Sequence, residues 1–169
     1  HLLTMREEIE ASCGTGEITY EKLHGLTYTS AVLNEAMRLY PPFWMIDRVA
    51  LEADQIGSVA VPAGATVVPY IYGVHRNPDV WSDPDRFDPT RFLGKPKRHP
   101  FAHIPFGGGP RVCIGQNMAV MQMLLVIVAI VGRYDFQLDP GREIGIRPMM
   151  ILRPDGPMRM RFSPISSTT

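Results

Sequence analysis

The sequence predicts a mainly α-helical α+β fold with small β-sheets. Two segments, 1–10 and 29–40, carry apolar residues at helical spacing, and a third, 116–131, is a long apolar run. Between 49 and 75 the pattern changes to short apolar runs separated by Gly and Pro, which is typical of short strands and turns. The 15 glycines and 16 prolines exceed the usual share of roughly 12%. A large part of the chain is therefore expected in turns and loops.

The first two predicted helices lie in the N-terminal quarter of the chain. Residues 1–10 are interpreted as the end of an amphipathic helix, which a Gly-containing segment then terminates. The second helix is predicted to begin near Thr29 and to run to Tyr40, where two prolines stop it. Either Thr29 or Ser30 is a suitable N-cap, because a hydroxyl oxygen can accept a bond from a free backbone N–H.

The remaining segments differ strongly in character. Two or three short strands are predicted in 49–75, whereas 81–105 has little periodicity and reads as a long loop of the kind that is usually functional or disordered. The run 116–131 is predicted to be a buried core helix, since a bilayer span needs about 20 apolar residues. Pro-Asp-Gly at 154–156 lies between two apolar-rich runs and predicts a hairpin. Residues 163–169 are expected to form a polar tail.

Charge and cysteine content exclude some functional classes. Lys and Arg total 17 and Asp and Glu total 17, so bulk charge gives no case for a nucleic-acid partner. Cys13 and Cys113 are far apart and form no Cys-x-x-Cys pattern, which excludes a disulfide framework or a zinc ribbon. The first residues are not expected to be a signal peptide. The expected location is cytoplasmic, with a membrane anchor upstream of His1 as the alternative.

The segment FGGGPRVCIG, residues 106–115, is the most informative stretch of the chain. A Walker loop requires Gly-Lys-Ser/Thr, and a dinucleotide loop requires a third glycine where Val112 stands. Pro110 also removes a backbone N–H that a phosphate would need. A cysteine nucleophile requires a histidine base, and none of the five histidines has a telling context.

Two interpretations of Cys113 remain. A buried structural cysteine is common, but it leaves four glycines in ten residues unexplained, although glycine costs about 0.5–1 kcal/mol relative to alanine. A thiolate metal ligand accounts for more, because Cys113 directly precedes a predicted helix whose positive end stabilises an anion. Glycines let the backbone pass close to a flat cofactor, and Arg111 can neutralise a cofactor carboxylate.

These residues resemble the heme-binding signature of the cytochrome P450 heme-thiolate monooxygenases. The matching positions are Phe106, Gly109, Arg111, Cys113, Gly115 and Ala119. The resemblance implies a cytochrome P450-like fold, of which the chain would be the C-terminal portion only. It also implies heme b as the cofactor, held through its iron by the thiolate of Cys113.

A second motif supports this resemblance. Glu35 and Arg38 are spaced i and i+3 on the second predicted helix, which alone more often means an exposed pair worth a few tenths of a kcal/mol. In the context NEAMRLYPP the pair resembles the E-x-x-R helix of the family. The segment FDPTRF, 87–92, resembles the F-x-P-E-R-F segment and makes Arg91 the third member of a structural ion-pair network. Thr90 replaces the usual Glu there.

The resemblance also implies roles for positions with less specific patterns. Arg48 corresponds to a strand arginine that contacts a heme propionate, with a surface arginine as the alternative. Phe43, Trp44, Met45 and Ile46 correspond to residues that line the substrate pocket, with core packing as the alternative. His75 is a further candidate to face the cofactor.

The basic run GKPKRH, 94–99, is expected either to be solvated surface or to contact an acidic electron donor. The family's long distal helix, with its Ala/Gly-Gly-x-x-Thr motif, would lie before His1, and no segment of the chain replaces it. Residues 1–169 are therefore interpreted as a partial single domain, the C-terminal heme-binding half of a larger monooxygenase domain.

The implied activity is insertion of one atom of O2 into a lipophilic substrate, with electrons from a separate ferredoxin or flavoprotein reductase. One alternative is a heme-thiolate enzyme that uses peroxide or isomerises its substrate. The other is a non-catalytic fragment that binds heme weakly.

Overall fold

The computed structural model describes residues 1–14, 16–94, 97–139 and 143–165. Within these ranges the chain forms five α-helices: α1 (Leu2–Ser12), α2 (Tyr20–His24), α3 (Thr27–Leu39), α4 (Ile71–Val74) and α5 (Gln116–Val131). The strands are β1 (Arg48–Val49), β2 (Asp54–Ile56), β3 (Val59–Val61), β4 (Thr66–Val67), β5 (Tyr134–Leu138), β6 (Ile146–Arg147), β7 (Arg153–Pro154) and β8 (Met160–Pro164). Short 3-10 turns cover Pro89–Phe92, Pro100–Ala102 and Gly109–Arg111. The α+β class with small sheets is confirmed.

All four sheets of the described chain are two-stranded and antiparallel. Strand β1 pairs with β4, β2 with β3, β5 with β8, and β6 with β7. The longest ladder, β5–β8, places Phe136 opposite Phe162. Phe136 packs against the helical core, whereas Phe162 and other apolar strand residues, such as Ile56 and Val59, are exposed.

The core lies between helices α1, α2, α3 and α5. Its buried members are Met5, Ile9, Cys13, Leu23, Leu26, Leu33, Met37, Leu124, Val128 and Val131. Burial of a large apolar side chain contributes about 1.5–3 kcal/mol, so this cluster fixes α3 against α5. The two helices that carry the candidate site motifs are thereby held together.

Helix α3 begins earlier than the sequence indicated. Its N-cap is Leu26, which makes no side-chain cap hydrogen bond, and neither Thr29 nor Ser30 caps it. The carboxylate of Glu8 on α1 caps it instead, accepting bonds from the backbone N–H groups of Tyr28 (2.6 Å) and Thr29 (2.7 Å). A carboxylate at a helix N-terminus also interacts favourably with the helix dipole. The cap is tertiary, so a local reading of the sequence misses it.

The predicted hairpin around residues 154–156 is wrong. The runs on its two sides form β7 and β8, but β7 pairs with β6 and β8 pairs with β5. Each run therefore finds its partner upstream and not across the Pro-Asp-Gly turn. The predicted polar tail also begins inside β8, because Ser163 pairs with Asp135, while residues 166–169 lie outside the described residues.

Helix α5 has the predicted bounds but not the predicted burial. Only Leu124, Val128 and Val131 are buried along its 16 residues. Met118, Leu125 and Val126 are exposed although the helix is apolar on all sides. In the part of the chain that the structure describes, no helix has both the length and the apolar character needed to cross a bilayer.

Candidate functional site

The cysteine loop, residues 106–115, is closed by a backbone hydrogen bond. The N–H of Cys113 donates to the carbonyl of Phe106 at 3.0 Å, and the side chain of Phe106 packs against the core. Gly115 is the N-cap of α5, and the N–H of Ala119 donates to its carbonyl at 2.9 Å. The loop is thus anchored to the core at one end and to a helix N-terminus at the other.

Two glycines in this loop have a left-handed backbone. Gly107 has φ +76° and Gly109 has φ +69°, a region in which other L-residues are strained. A Cβ on Gly109 would meet nothing within 4 Å, so its left-handed φ, not crowding, requires glycine. Gly108 is extended, but a Cβ there would lie 2.8 Å from the Phe101 ring. The glycines therefore serve the path of the loop and its close packing.

The two cysteines have opposite environments. Cys13 is buried in the core, whereas Cys113 is free and exposed. Around Cys113, the apolar side chains of Val112, Ile114 and Met118 are exposed as well. The exposed thiol can ligate a metal, and the exposed apolar side chains can pack against an apolar ring. This combination suits an apolar metal cofactor. A buried packing role for Cys113 does not fit.

Two arginines are available to pair with cofactor carboxylates. Arg111 ends the 3-10 turn of the cysteine loop and is exposed. Arg48 lies in β1 and is exposed, with its guanidinium donating to the carbonyl of Asp47. The contacts of the described residues do not link Arg48 to Arg111.

The segment 43–46 lies near both the C-terminal strands and the cysteine loop. The indole N–H of Trp44 donates to the carbonyl of Met149 at 2.6 Å. The Cδ1 of Ile46 lies 3.9 Å from the position that a Cβ on Gly107 would occupy. Phe43 and Met45 are exposed. A simple core-packing role therefore does not account for Phe43 and Met45.

Helix α3 carries a buried charge cluster. Glu35 and Arg38 on α3 are both 0% exposed and joined by two hydrogen bonds, Nε to Oε2 at 2.7 Å and Nη2 to Oε1 at 2.9 Å. The other three N–H groups of Arg38 donate to backbone carbonyls of His75, Pro84 and Arg86. All five donors of the guanidinium are therefore satisfied.

Arg91 completes the cluster from the irregular segment. Its Nε lies 3.4 Å from Oε1 of Glu35, and its Nη2 donates to the carbonyl of Asp83 at 3.0 Å. Thr90 donates through its hydroxyl to Asp88 at 2.5 Å. Hydrogen bonding from Thr90 holds the pKa of Asp88 below its usual value. The structure brings Glu35, Arg38 and Arg91 together, a grouping that the resemblance implied.

The basic run 94–99 is only partly a surface feature. Lys95 and Pro96 lie outside the described residues, and Lys97 is exposed. Arg98 instead packs over the rings of Trp81 (4.4 Å) and Phe92 (5.2 Å), and its guanidinium donates to the carbonyl of Arg91. Burial lowers its pKa. Arg98 is therefore a half-buried residue whose guanidinium is already engaged, and not a free docking charge.

Two histidines lie in the interior, His75 and His103, and the sequence analysis predicted an interior position for neither. His75 is fully buried, so the expectation that it faces the cofactor is wrong. Burial lowers its pKa to about 4. His103 lies beside it with ring centroids 5.2 Å apart, and burial lowers its pKa to about 3. Ile71 and His75 are spaced i and i+4, and both are buried. This spacing could have indicated that His75 faces the interior.

Comparison with known proteins identifies the family. The family model for Cytochrome P450 matches residues 3–162. Cytochrome P450 734A5 of Oryza sativa subsp. japonica is 40% identical, over 96% of this chain and 31% of its own length. Cytochrome P450 4B1 of Homo sapiens is 35% identical, over 98% of this chain and 33% of its own length.

A solved structure shows the same fold. Cyanobacterial CYP120A1 with bound retinoic acid superposes with a TM-score of 0.92 at 31% identity, covering 97% of this chain and 38% of that one. The chain spans about a third of the length of the relatives that it matches.

Proposed function

The chain belongs to the cytochrome P450 family, and we propose that it forms the heme-binding part of a heme-thiolate monooxygenase. The observation that carries the proposal is the exposed, free thiol of Cys113 at the end of a glycine-rich loop and at the start of α5. The family alone supports an oxidoreductase with heme iron. Three features of this chain support it as the part that holds the heme. They are the exposed thiol, the free space beside Gly109, and the exposed arginines Arg48 and Arg111.

Each residue of the site would have a distinct role. The sulfur of Cys113 would hold the heme iron, and the N-terminus of α5 would favour the anionic form of that sulfur. Arg48 and Arg111 would pair with the propionates through charge-assisted hydrogen bonds. Gly107 and Gly109 would let the backbone pass close beside the ring. When bound, heme b supplies an iron centre for O2 activation, and thiolate ligation favours O–O cleavage.

The proposed substrate is lipophilic. Phe43 and Met45 expose apolar surface on a segment that contacts the cysteine loop through Ile46. The bound retinoic acid of CYP120A1, itself lipophilic, supports the same class. Hydrophobic side chains with few polar groups are the usual lining of such a pocket. Water would be excluded from the reacting centre by the same apolar side chains.

We also propose that electrons come from a separate ferredoxin or flavoprotein reductase. Within the described residues, exposed Lys97 offers positive charge for an acidic partner. Arg98 does not take part, because its guanidinium packs over Trp81 and donates to the carbonyl of Arg91. Complementary charge would speed the encounter more than it would tighten the complex.

The test is a reduced carbon-monoxide difference spectrum of the gene product that carries this chain, loaded with heme. We expect the Soret band of thiolate ligation in the wild type and its loss in Cys113→Ala, because that variant removes the only exposed thiol among the described residues. Cys13→Ala is the matched control, since it removes a buried thiol remote in sequence, and it is expected to keep the band.

Survival of the thiolate band in Cys113→Ala would overturn the ligand assignment. Loss of the band in Cys13→Ala, with heme still bound and Cys113 present, would do the same. Turnover of lipophilic substrates with reductase and O2 then tests the monooxygenase activity separately. Product formed only with peroxide would contradict that activity and leave the ligand intact.

A further inference from the structure

His75 joins helix α3 to the segment that leads into the cysteine loop. We propose that His75 is a positioning residue that holds the base of this loop through a neutral imidazole protonated on Nδ1. Its side chain is 0% exposed and makes one hydrogen bond on each ring nitrogen. The proposal rests on those two bonds and on where each of them leads.

The hydrogen bonds assign the tautomer. The backbone N–H of Ile104 lies 2.8 Å from Nε2 of His75, and a backbone N–H can only donate, so Nε2 must be unprotonated. Nδ1 then carries the proton, and the carbonyl of Arg38 lies 3.1 Å from it as the acceptor. Protonation of Nε2 would place two donors against each other. The contact with Ile104 therefore requires neutral His75.

The link to the charge cluster is reciprocal. The imidazole of His75 donates to the backbone carbonyl of Arg38, while the guanidinium of Arg38 donates to the backbone carbonyl of His75 at 2.8 Å. Each side chain satisfies the other residue's backbone. His75 is therefore held on both its backbone and its ring by the arginine that pairs with Glu35.

The other end of the link reaches the cysteine loop. Ile104, whose N–H is held by His75, accepts at its own carbonyl from the N–H of Gly107 at 2.9 Å. Two residues after Ile104, the carbonyl of Phe106 accepts from Cys113. A short chain of backbone hydrogen bonds thus leads from the imidazole to the residue that carries the sulfur. Loss of the Nε2 acceptor would free the first member of that chain.

The surroundings favour a neutral ring. His103 lies against His75, and its Nε2 is buried without a hydrogen-bond partner among the described residues. The charged groups that act on the two imidazoles are Arg38, Arg76 and Arg98, and all of them oppose a further positive charge. Burial works in the same direction and is the larger cause for both rings.

Substitution of His75 by Gln or by Asn tests the two hydrogen bonds of its ring one at a time. In Gln, the side-chain oxygen reaches the position of Nε2 and can still accept from Ile104. In Asn, the amide nitrogen reaches the position of Nδ1 and can donate only to Arg38. We expect hydrogen exchange of the Ile104 amide to accelerate about 10- to 100-fold in His75→Asn and to stay close to wild type in His75→Gln.

The role in heme ligation rests on the proposed function, and a second readout tests it. The fraction of heme with thiolate ligation should fall in His75→Asn and recover in His75→Gln. A purely structural role would lower the stability of both variants without this rescue. If no thiolate band forms even in the wild type while the exchange pattern holds, the proposed function fails and the positioning of the loop stands.

The tautomer of His75 can also be measured directly in the wild type. Imidazole 15N chemical shifts of His75 in the purified gene product are expected to show a protonated Nδ1 and an unprotonated Nε2 at neutral pH. The opposite tautomer would overturn the proposal. Equal exchange of the Ile104 amide in wild type, His75→Gln and His75→Asn would overturn it as well.

Discussion

Arg38 uses all five of its guanidinium N–H groups, and this determines how the side chain can be replaced. Two of its hydrogen bonds reach Glu35 and three reach backbone carbonyls on the segment 75–86. The side chains of the pair are 0% exposed, so loss of the bonds to Glu35 and to the carbonyl of His75 would leave buried acceptors without water. The planar guanidinium of arginine has five donors in fixed directions and can make all of these bonds. The ammonium group of lysine has only three donors and cannot.

We expect Arg38→Lys to lower the free energy of unfolding by about 3 kcal/mol, although it keeps the charge. Urea denaturation measures this directly. Arg161→Lys is the control, because Arg161 is exposed on β8 and should change stability by less than about 0.5 kcal/mol. Equal stability of the two variants would mean that the donor geometry of Arg38 does not matter.

The sequence indicated part of this cluster but not the whole of it. The i, i+3 spacing places Glu35 beside Arg38 in any helix, and the FDPTRF segment pointed to Arg91. The carbonyl partners of Arg38 come from residues 37 to 48 positions away. No local pattern encodes a backbone carbonyl, so those contacts, like the packing of Arg98 over Trp81, depend on the tertiary fold.

Among the elements, the cysteine loop depends on backbone shape more than on side chains. Gly109 and Gly64 are a natural pair for testing this, because both have a left-handed φ (+69° and +79°) and neither has an atom within 4 Å of a Cβ position. Alanine in a left-handed conformation costs about 1–2 kcal/mol. Gly64→Ala and Gly109→Ala should therefore lose similar stability.

Only Gly109→Ala should also weaken heme binding. The strain at position 109 would relax by moving the loop that carries Cys113, and 1–2 kcal/mol corresponds to about a 5- to 30-fold lower affinity. Heme titration of both variants measures it. A similar loss of affinity in Gly64→Ala would show that general destabilisation, and not the loop, controls heme binding.

Elements were predicted well where the signal is local and poorly where it is not. The apolar run 116–131 gave α5 with its bounds, because glycine at each end marks the helix limits. The strand partners of β7 and β8 were wrong, because a turn signal at 154–156 does not exclude pairing with more distant strands. The burial of α5 was also wrong, since length and hydropathy do not show what packs on each face.

At the scale of the whole molecule, the two buried histidines should make stability depend on pH. Burial lowers the pKa of His75 to about 4 and that of His103 to about 3, with Arg38, Arg76 and Arg98 adding to the effect. In the unfolded chain both titrate near pH 6.5. Below pH 6.5 the unfolded state therefore binds more protons than the folded state, and acid favours unfolding.

The free energy of unfolding should thus be constant with respect to these histidines above about pH 7 and fall between about pH 6.5 and 4. Each neutral histidine contributes about 1.4 kcal/mol per pH unit in that window.

His103→Phe should remove one contribution and halve the slope of stability against pH. The aromatic ring should be tolerated there, because the site is already aromatic, with the ring of Phe92 at 4.8 Å. The lowered pKa of Asp88 also makes acid favour unfolding, but its effect begins only at about pH 5, at the acid end of the window. Urea denaturation across the window measures the slope, with His24→Gln, which changes an exposed histidine, as the control. An unchanged slope in His103→Phe would mean that His103 does not stay neutral in the folded interior.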